Sequence, residues 1–170
     1  FSLYGADAEQ GVISILYRIR GLGTSLLAEA KSGEYLSVLG PLGKGFTLSC
    51  AGSAALLVGG GMGIAPLAYL ADRLLESGCK VNVLYGAETA RELVALEKLE
   101  RRGARCRVAT MDGSMGHKGL VTDLLDGVPA GKAADMIYSC GPVEMMAHVA
   151  RFAKERRIPG EVSLESNMAC

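Results

Sequence analysis

The sequence predicts an α/β fold, with a five-stranded parallel sheet carrying helices on both faces, preceded by part of an antiparallel β-barrel. Three observations carry that expectation. From residue 53 onward, short apolar runs alternate with helical stretches, the pattern of βαβ units building a parallel sheet. Before residue 53, strand-like segments are punctuated by Gly and Pro, as in barrel material. The first apolar run of the second half passes straight into a glycine-rich turn and then a helix.

In chain order, residues 11–19 and 34–39 read as strands flanking a helical turn at 24–31. Two or three strands in about fifty residues cannot close a barrel or cover their own edges, so this part is expected to belong to a domain that begins upstream of residue 1. Ser49-Cys50-Ala51-Gly52-Ser53 is the one linker-like stretch, which sets the expected domains at 1–52 and 53–170. Strands follow at 54–59, 80–86, 104–110, 135–140 and 161–165. The helix after the first of these carries Ile64, Leu67, Ala68, Ala71, Leu74 and Leu75 at helical spacing, and the last helix carries Met146, Val149, Ala150 and Ala153 likewise. Both faces are expected to pack on the sheet.

The 170 residues, 49% hydrophobic, hold enough apolar material for one ordinary domain or one domain plus part of another. Eighteen Lys and Arg balance eighteen Asp and Glu, so no long-range field draws in nucleic acid or an anionic membrane. No apolar run approaches the roughly 18 residues of a membrane span, and the first residues lack the basic and apolar regions of a signal peptide. Cys50, Cys79, Cys106, Cys140 and Cys170 are widely spaced and odd in number, with no C-x-x-C pair. Neither a disulfide framework nor a closed zinc site is legible, and a reducing, cytoplasmic setting is favoured. Cys79 and Cys106, at strand starts, read as small buried hydrophobes. His117 and His148 lack a ligand partner at i+3 or i+4 and read as solvated or packing residues.

Candidate chemistry begins at Gly59-Gly60-Gly61-Met62-Gly63-Ile64-Ala65-Pro66-Leu67. Strand, glycine turn and helix N-terminus form an anion site. Missing side chains let backbone N–H groups approach a pyrophosphate, and the helix dipole favours its charge, so a dinucleotide is the natural ligand. The ordinary G-x-G-x-x-G fingerprint fails because position 64 is Ile, and a tight turn without ligand is the plain alternative. A second candidate is Ser139-Cys140-Gly141-Pro142 with Met145, at the end of a late strand. Gly141 permits close backbone approach, Pro142 suits a first helical turn, and the carboxyl edge of an open α/β sheet is where ligands bind. Cys140 has no acid–base partner nearby in sequence that would make it a nucleophile.

Tyr85-Gly86-Ala87-Glu88 ends the second strand of the sheet, where an acidic residue suits the free 2′-hydroxyl of an adenosine ribose and repels a 2′-phosphate. NAD is thereby preferred over NADP. The alternative is that Glu88 merely begins the helix containing Arg91, Glu92 and Glu97. Gly21-Leu22-Gly23-Thr24, before a helical segment, offers amides and a hydroxyl to a second pyrophosphate. Asp112-Gly113-Ser114 reads as a turn. Cys170, in Met168-Ala169-Cys170 after a short apolar strand, reads as the opening ligand of an iron–sulfur segment, whose clusters generally need four thiolates.

Gly59 to Leu67 together with Cys140-Gly141-Pro142 resembles the nicotinamide-binding half of the ferredoxin–NADP reductase superfamily. Within it, Ser163-Leu164-Glu165 with Met168-Ala169-Cys170, Met111 to Gly119 and Val121-Thr122-Asp123-Leu124-Leu125 resemble the electron-transfer subunits of NAD-dependent dihydroorotate dehydrogenases, truncated here at both ends. Phe1-Ser2-Leu3 looks like the end of that family's flavin motif, Leu16-Tyr17-Arg18 like the strand along the flavin, and Gly40 to Phe46 like the turn between domains. The resemblance implies an oxidoreductase subunit with FAD on Phe1, Ser2, Leu16, Tyr17, Arg18, Gly23 and Thr24. It implies NAD on Gly59, Gly60, Gly61, Gly63, Pro66, Glu88, Cys140, Gly141, Pro142 and Met145, with Cys140 lining the nicotinamide and no residue acting as acid or base. It further implies a [2Fe-2S] cluster in the full-length protein rather than in this stretch of chain, begun by Cys170. Electrons would pass from an FMN-containing, dihydroorotate-oxidising catalytic partner through the cluster and FAD to NAD, in pyrimidine biosynthesis and in a hetero-oligomer. Related subunits of hydrogenases and NADH-dependent ferredoxin oxidoreductases are the near alternative, and a dinucleotide-sensing domain without electron transfer is the non-enzymatic one.

Overall fold

The computed structural model describes residues 1–48, 53–129 and 134–164. The expected boundary stretch, Ser49 to Gly52, therefore lies outside the described residues, as do Glu165 to Cys170. The chain opens with β1 (Leu3–Asp7) antiparallel to β2 (Val12–Ile15), in the register Leu3↔Ile15 and Asp7↔Val12. The strand expected over 11–19 covers only Val12–Ile15, since the antiparallel ladder with β1 ends at the Leu3↔Ile15 pair. Helix α1 (Leu22–Glu29) takes the place of the expected turn at 24–31.

Residues 34–39 form no strand, and Tyr35, Leu36, Val38 and Leu39 are exposed. Their composition favours extended backbone. A strand also needs a neighbour to satisfy its N–H and C=O groups, and no described residue pairs with this segment.

The second part is a parallel sheet of β3 (Ala54–Gly60), β4 (Lys80–Ala87), β5 (Arg105–Thr110), β6 (His117–Lys118), β7 (Met136–Cys140) and β8 (Gly160–Ser163), in the spatial order β6-β5-β4-β3-β7-β8. Five of these match the expected strands closely. The sixth, β6, pairs only Ala109↔His117 and Thr110↔Lys118, too short a stretch to carry a period-2 signal. Alternation along β3 splits the core in two. Ala55 and Leu57 face α2 (Ile64–Glu76) and α3 (Leu96–Arg101), packing with Leu67, Ala71, Leu74 and Leu99. Leu56 and Val58 face α4 (Val143–Arg156) and the 3₁₀ turn Val121–Gly127, packing with Leu125, Met146 and Val149. Helices thus cover both faces, each fully buried Leu stabilising the fold by about 1.5–3 kcal/mol. On α4 the buried stripe is Met145, Met146, Val149 and Ala153, and Ala150, expected on that stripe, is exposed at its edge.

Tyr4, Leu16 and Phe46 of the first part pack against the α2 side of this core. The segment leading toward the sheet is clasped. The Phe46 and Tyr138 rings meet edge-on at 5.4 Å, the Tyr138 hydroxyl donates to the Thr47 carbonyl at 2.6 Å, and the Thr47 N–H donates to Glu161 Oε2 at 2.9 Å. Hydrogen bonding from Thr47 holds the Glu161 carboxyl below its ordinary value. A carboxyl depressed in the folded state adds stability above its unfolded pKa and loses it as pH falls through the folded one. Denaturant unfolding should therefore show Glu161→Gln less stable than the parent at about pH 6, with the gap closing toward about pH 3. A gap independent of pH would remove this role.

Candidate functional site

The sheet order places a topological switch between β3 and β7, because the chain leaves β3 toward β4 and β5 and later returns to the other side through β7 and β8. At that carboxyl edge β3 ends at Gly60, Gly61–Gly63 makes a single 3₁₀ turn, and α2 begins at Ile64 with Pro66 half-buried in its first turn. The glycines divide their labour. Gly61 lies at φ 53° and a Cβ built there meets nothing within 4 Å, so its outer face is open to a ligand. Gly63 faces inward, and a Cβ there would overlap the Cys140 carbonyl and sit 2.6 Å from the Gly141 nitrogen. A Cβ on Gly60 would meet Pro142 Cδ at 2.9 Å and Met145 Sδ at 2.8 Å. Gly59 is buried against Ile64 and Leu67. The two motifs singled out in the sequence are therefore packed on each other, an arrangement in which missing side chains serve protein contact as much as ligand approach.

Cys140 is 2% exposed and Met145 9%, while Pro142 is exposed. The neighbouring Ser139 hydroxyl is spent on the Val58 carbonyl at 3.0 Å. Glu88 is exposed just past β4 and does not begin a helix: a bend leads to a 3₁₀ turn at Ala90–Glu92, and α3 starts only at Leu96. This turn is backed by the loop after β5. Met111 and Asp112 donate their N–H groups to the Ala87 and Glu88 carbonyls at 3.1 and 3.2 Å, and Ser114 Oγ accepts from Ala90 N at 2.8 Å. Asp112 Oδ1 accepts both the hydroxyl and the N–H of Ser114, which close the expected turn and hold the Asp112 carboxyl below its ordinary value.

The residues assigned to a flavin divide into two groups. Phe1 and Tyr17 stack edge-on at 5.6 Å, brought together by the β1–β2 pairing, with Ser2 and Leu16 half-buried beside them. Arg18 instead reaches Glu92 of the sheet part, Nη2 to Oε2 at 2.7 Å. Gly23 is exposed near the start of α1. The Thr24 hydroxyl accepts from Arg20 N and Gly21 N and donates to the Gly21 carbonyl, so it shapes the turn rather than reaching outward.

Cys170 lies outside the described residues, and among those described no three His, Cys, Asp or Glu side chains gather as a metal site. Cys79 is buried as expected but is disulfide-bonded, which the wide cysteine spacing did not indicate. Burial pushes the Cys106 thiol up to about 11, so it stays protonated and unreactive. His117 pairs with Asp123 at 3.1 Å rather than standing free, and Asp123 also caps Leu120 N at 2.9 Å. Sequence reasoning missed Tyr4, Asp72 and Lys98, which join at the junction of the two parts. A signal existed for Asp72, a carboxylate four residues after Ala68 on the otherwise apolar face of α2.

The chain matches the oxidoreductase NAD-binding domain family over residues 57–151. It is 37% identical over 99% of its length to the electron transfer subunit of dihydroorotate dehydrogenase B (NAD(+)) of Desulforamulus reducens, and 42% identical to that of Bacillus cereus. The chain spans 64% of the length of each of these relatives. Among solved structures it superposes on the NADH-dependent reduced ferredoxin-NADP oxidoreductase with a TM-score of 0.83 and 32% identity, covering 98% of this chain and 60% of that one.

Proposed function

The chain belongs to the oxidoreductase NAD-binding domain family, and from that premise we propose that it is part of an electron transfer subunit of an NAD-dependent dihydroorotate dehydrogenase. In this reading residues 1–52 belong to a flavin domain and 53–170 form the NAD domain, and electrons pass from an FMN-containing partner through a [2Fe-2S] cluster and FAD to NAD. The observation that carries it is the contact between the Gly60–Gly63 turn and the Cys140-Gly141-Pro142 turn at the switch point, with Gly61 left open to solvent. The identity to electron transfer subunits, sustained over 99% of the chain, supports the substrate and partner. FAD, when bound, joins one-electron chemistry to hydride transfer. This chain's residues bind and orient. The amides around Gly61 and the N-terminus of α2 hold the dinucleotide phosphates. Gly141 and Pro142 shape the floor of the nicotinamide pocket, Cys140 supports that floor from the buried side, and Glu88 takes the ribose hydroxyls. Phe1, Ser2 and Tyr17 line the flavin.

The superposition on the NADH-dependent reduced ferredoxin-NADP oxidoreductase favours a second reading, a related subunit with a different electron donor. The complete subunit, isolated with its partner, should show a flavin spectrum and reduce NAD with dihydroorotate. Activity with reduced ferredoxin or hydrogen alone would defeat the first reading, and a colourless protein that binds NAD would point to sensing. Glu88→Arg should shift the ratio of NADP to NAD affinity roughly tenfold toward NADP, about 1.4 kcal/mol. An unchanged ratio in equilibrium titration would remove Glu88 from the ribose site.

A further inference from the structure

Two residues of the sheet part grip the β1 and β2 side of the molecule in a way that neither the nucleotide turn nor the flavin motif requires. Glu92 closes the 3₁₀ turn after β4, its carbonyl accepts the Tyr85 hydroxyl at 2.9 Å, and Tyr85 is fully buried in β4. Its position on the sheet is thereby fixed. Its carboxylate takes the Arg18 guanidinium at 2.7 Å. On α3, Lys98 donates to the Tyr4 carbonyl at 2.7 Å and lies 4.0 Å over the Tyr4 ring. Asp72 of α2, only 11% exposed at its side chain, holds the same ammonium at 3.1 Å. Asp72 also takes Arg102 Nε at 2.9 Å, but among the described residues the Arg102 side chain bonds only within this part, to Asp72 and Glu76. The two gripped residues adjoin proposed flavin contacts: Tyr4 of β1 follows Ser2 by two positions, and Arg18, itself among the residues expected to hold the flavin, follows Tyr17 just past the end of β2.

We propose that Glu92 and Lys98 are positioning residues, a bracket that fixes the flavin-bearing strands against the nucleotide sheet and so sets the geometry across which hydride passes. The inference rests on the flavin and NAD reading above. In the reaction that reads it out, the hydride leaves NADH with its electron pair to give NAD, and oxidised flavin takes up that hydride and one solvent proton. Near-attack geometry is sensitive to shifts on the order of 1 Å, which can cost roughly a hundredfold in rate.

The test is rapid mixing of the complete flavoprotein subunit with NADH, following flavin bleaching. Glu92→Ala and Lys98→Met should each lower the rate at saturating NADH about tenfold or more, with NADH affinity unchanged within about twofold. Arg102→Met, which breaks an ion pair on the same Asp72 without touching Tyr4, should leave the rate unchanged. No loss in the first two variants, an equal loss in all three, or an effect confined to affinity would overturn the bracket. A parent protein that NADH does not reduce would instead overturn the functional reading. Hydrogen exchange then tests the bracket separately: Lys98→Met should speed exchange of the Leu3–Asp7 amides relative to Arg102→Met, and equal exchange would overturn it.

Discussion

Gly63→Ala should cost the protein its fold stability before it costs anything else. The backbone at Gly63 is ordinary right-handed helix, φ −61° and ψ −11°, which alanine adopts freely, so the penalty is entirely one of space. The added methyl would overlap the Cys140 carbonyl and lie 2.6 Å from the Gly141 nitrogen, and both are backbone atoms with no rotamer to yield. Overpacking of this kind costs about 1–3 kcal/mol, here at the upper end because the start of α2 or the end of β7 must move. For a chain of this size, about 3 kcal/mol lowers the melting temperature by roughly 6–12 °C. A melting temperature within about 2 °C of the parent would mean the two turns are not in contact as described.

Gly61→Val should have the opposite profile. Beyond its own chain neighbours, no described atom lies within 4 Å of the added Cβ, so the structural cost is the strain of a β-branched residue at φ 53°, about 1–3 kcal/mol. The isopropyl group projects into the one open face of the turn. NAD binding should weaken about a hundredfold, close to 2.7 kcal/mol, as read by calorimetric titration. Gly61→Ala should fall between the parent and the valine variant. Unchanged affinity in the valine variant would move the nucleotide away from this turn. The pair of substitutions two positions apart thus separates glycine needed by the protein from glycine needed by the ligand.

That division shows where the sequence was informative and where it stopped. Strands β3, β4 and β7 and the helices α2 and α4 were legible because each is a buried apolar run or carries a buried apolar face at helical spacing. The two glycine motifs stood out in the sequence, but their mutual packing did not, because Gly63 and Gly141 are 78 positions apart and nothing local marks one as the other's neighbour. Residues 34–39 misled for the converse reason: strand-like composition reports preference, whereas a strand needs an edge to pair with. The grip of Lys98 on Tyr4 was invisible since its acceptor is a backbone carbonyl, which every residue carries. Thr24 was recognised as a hydroxyl beside a turn, but whether that hydroxyl faced outward or inward is decided by the path of the Arg20–Gly21 backbone.

The crevice between β3 and β7 also has a place in time. β3 and β4 are joined by a single helix, whereas the Ser139 to Val58 bond that ties β7 to β3 closes a separation of 81 residues. Loop closure must be met before such a distant contact rewards it, so the β3–β4–β5 side is expected to assemble first and β7 to dock afterwards. In the reading proposed above, the nucleotide site is then among the later features of the sheet to form, and the chain becomes competent to bind a dinucleotide only once β7 has docked on β3.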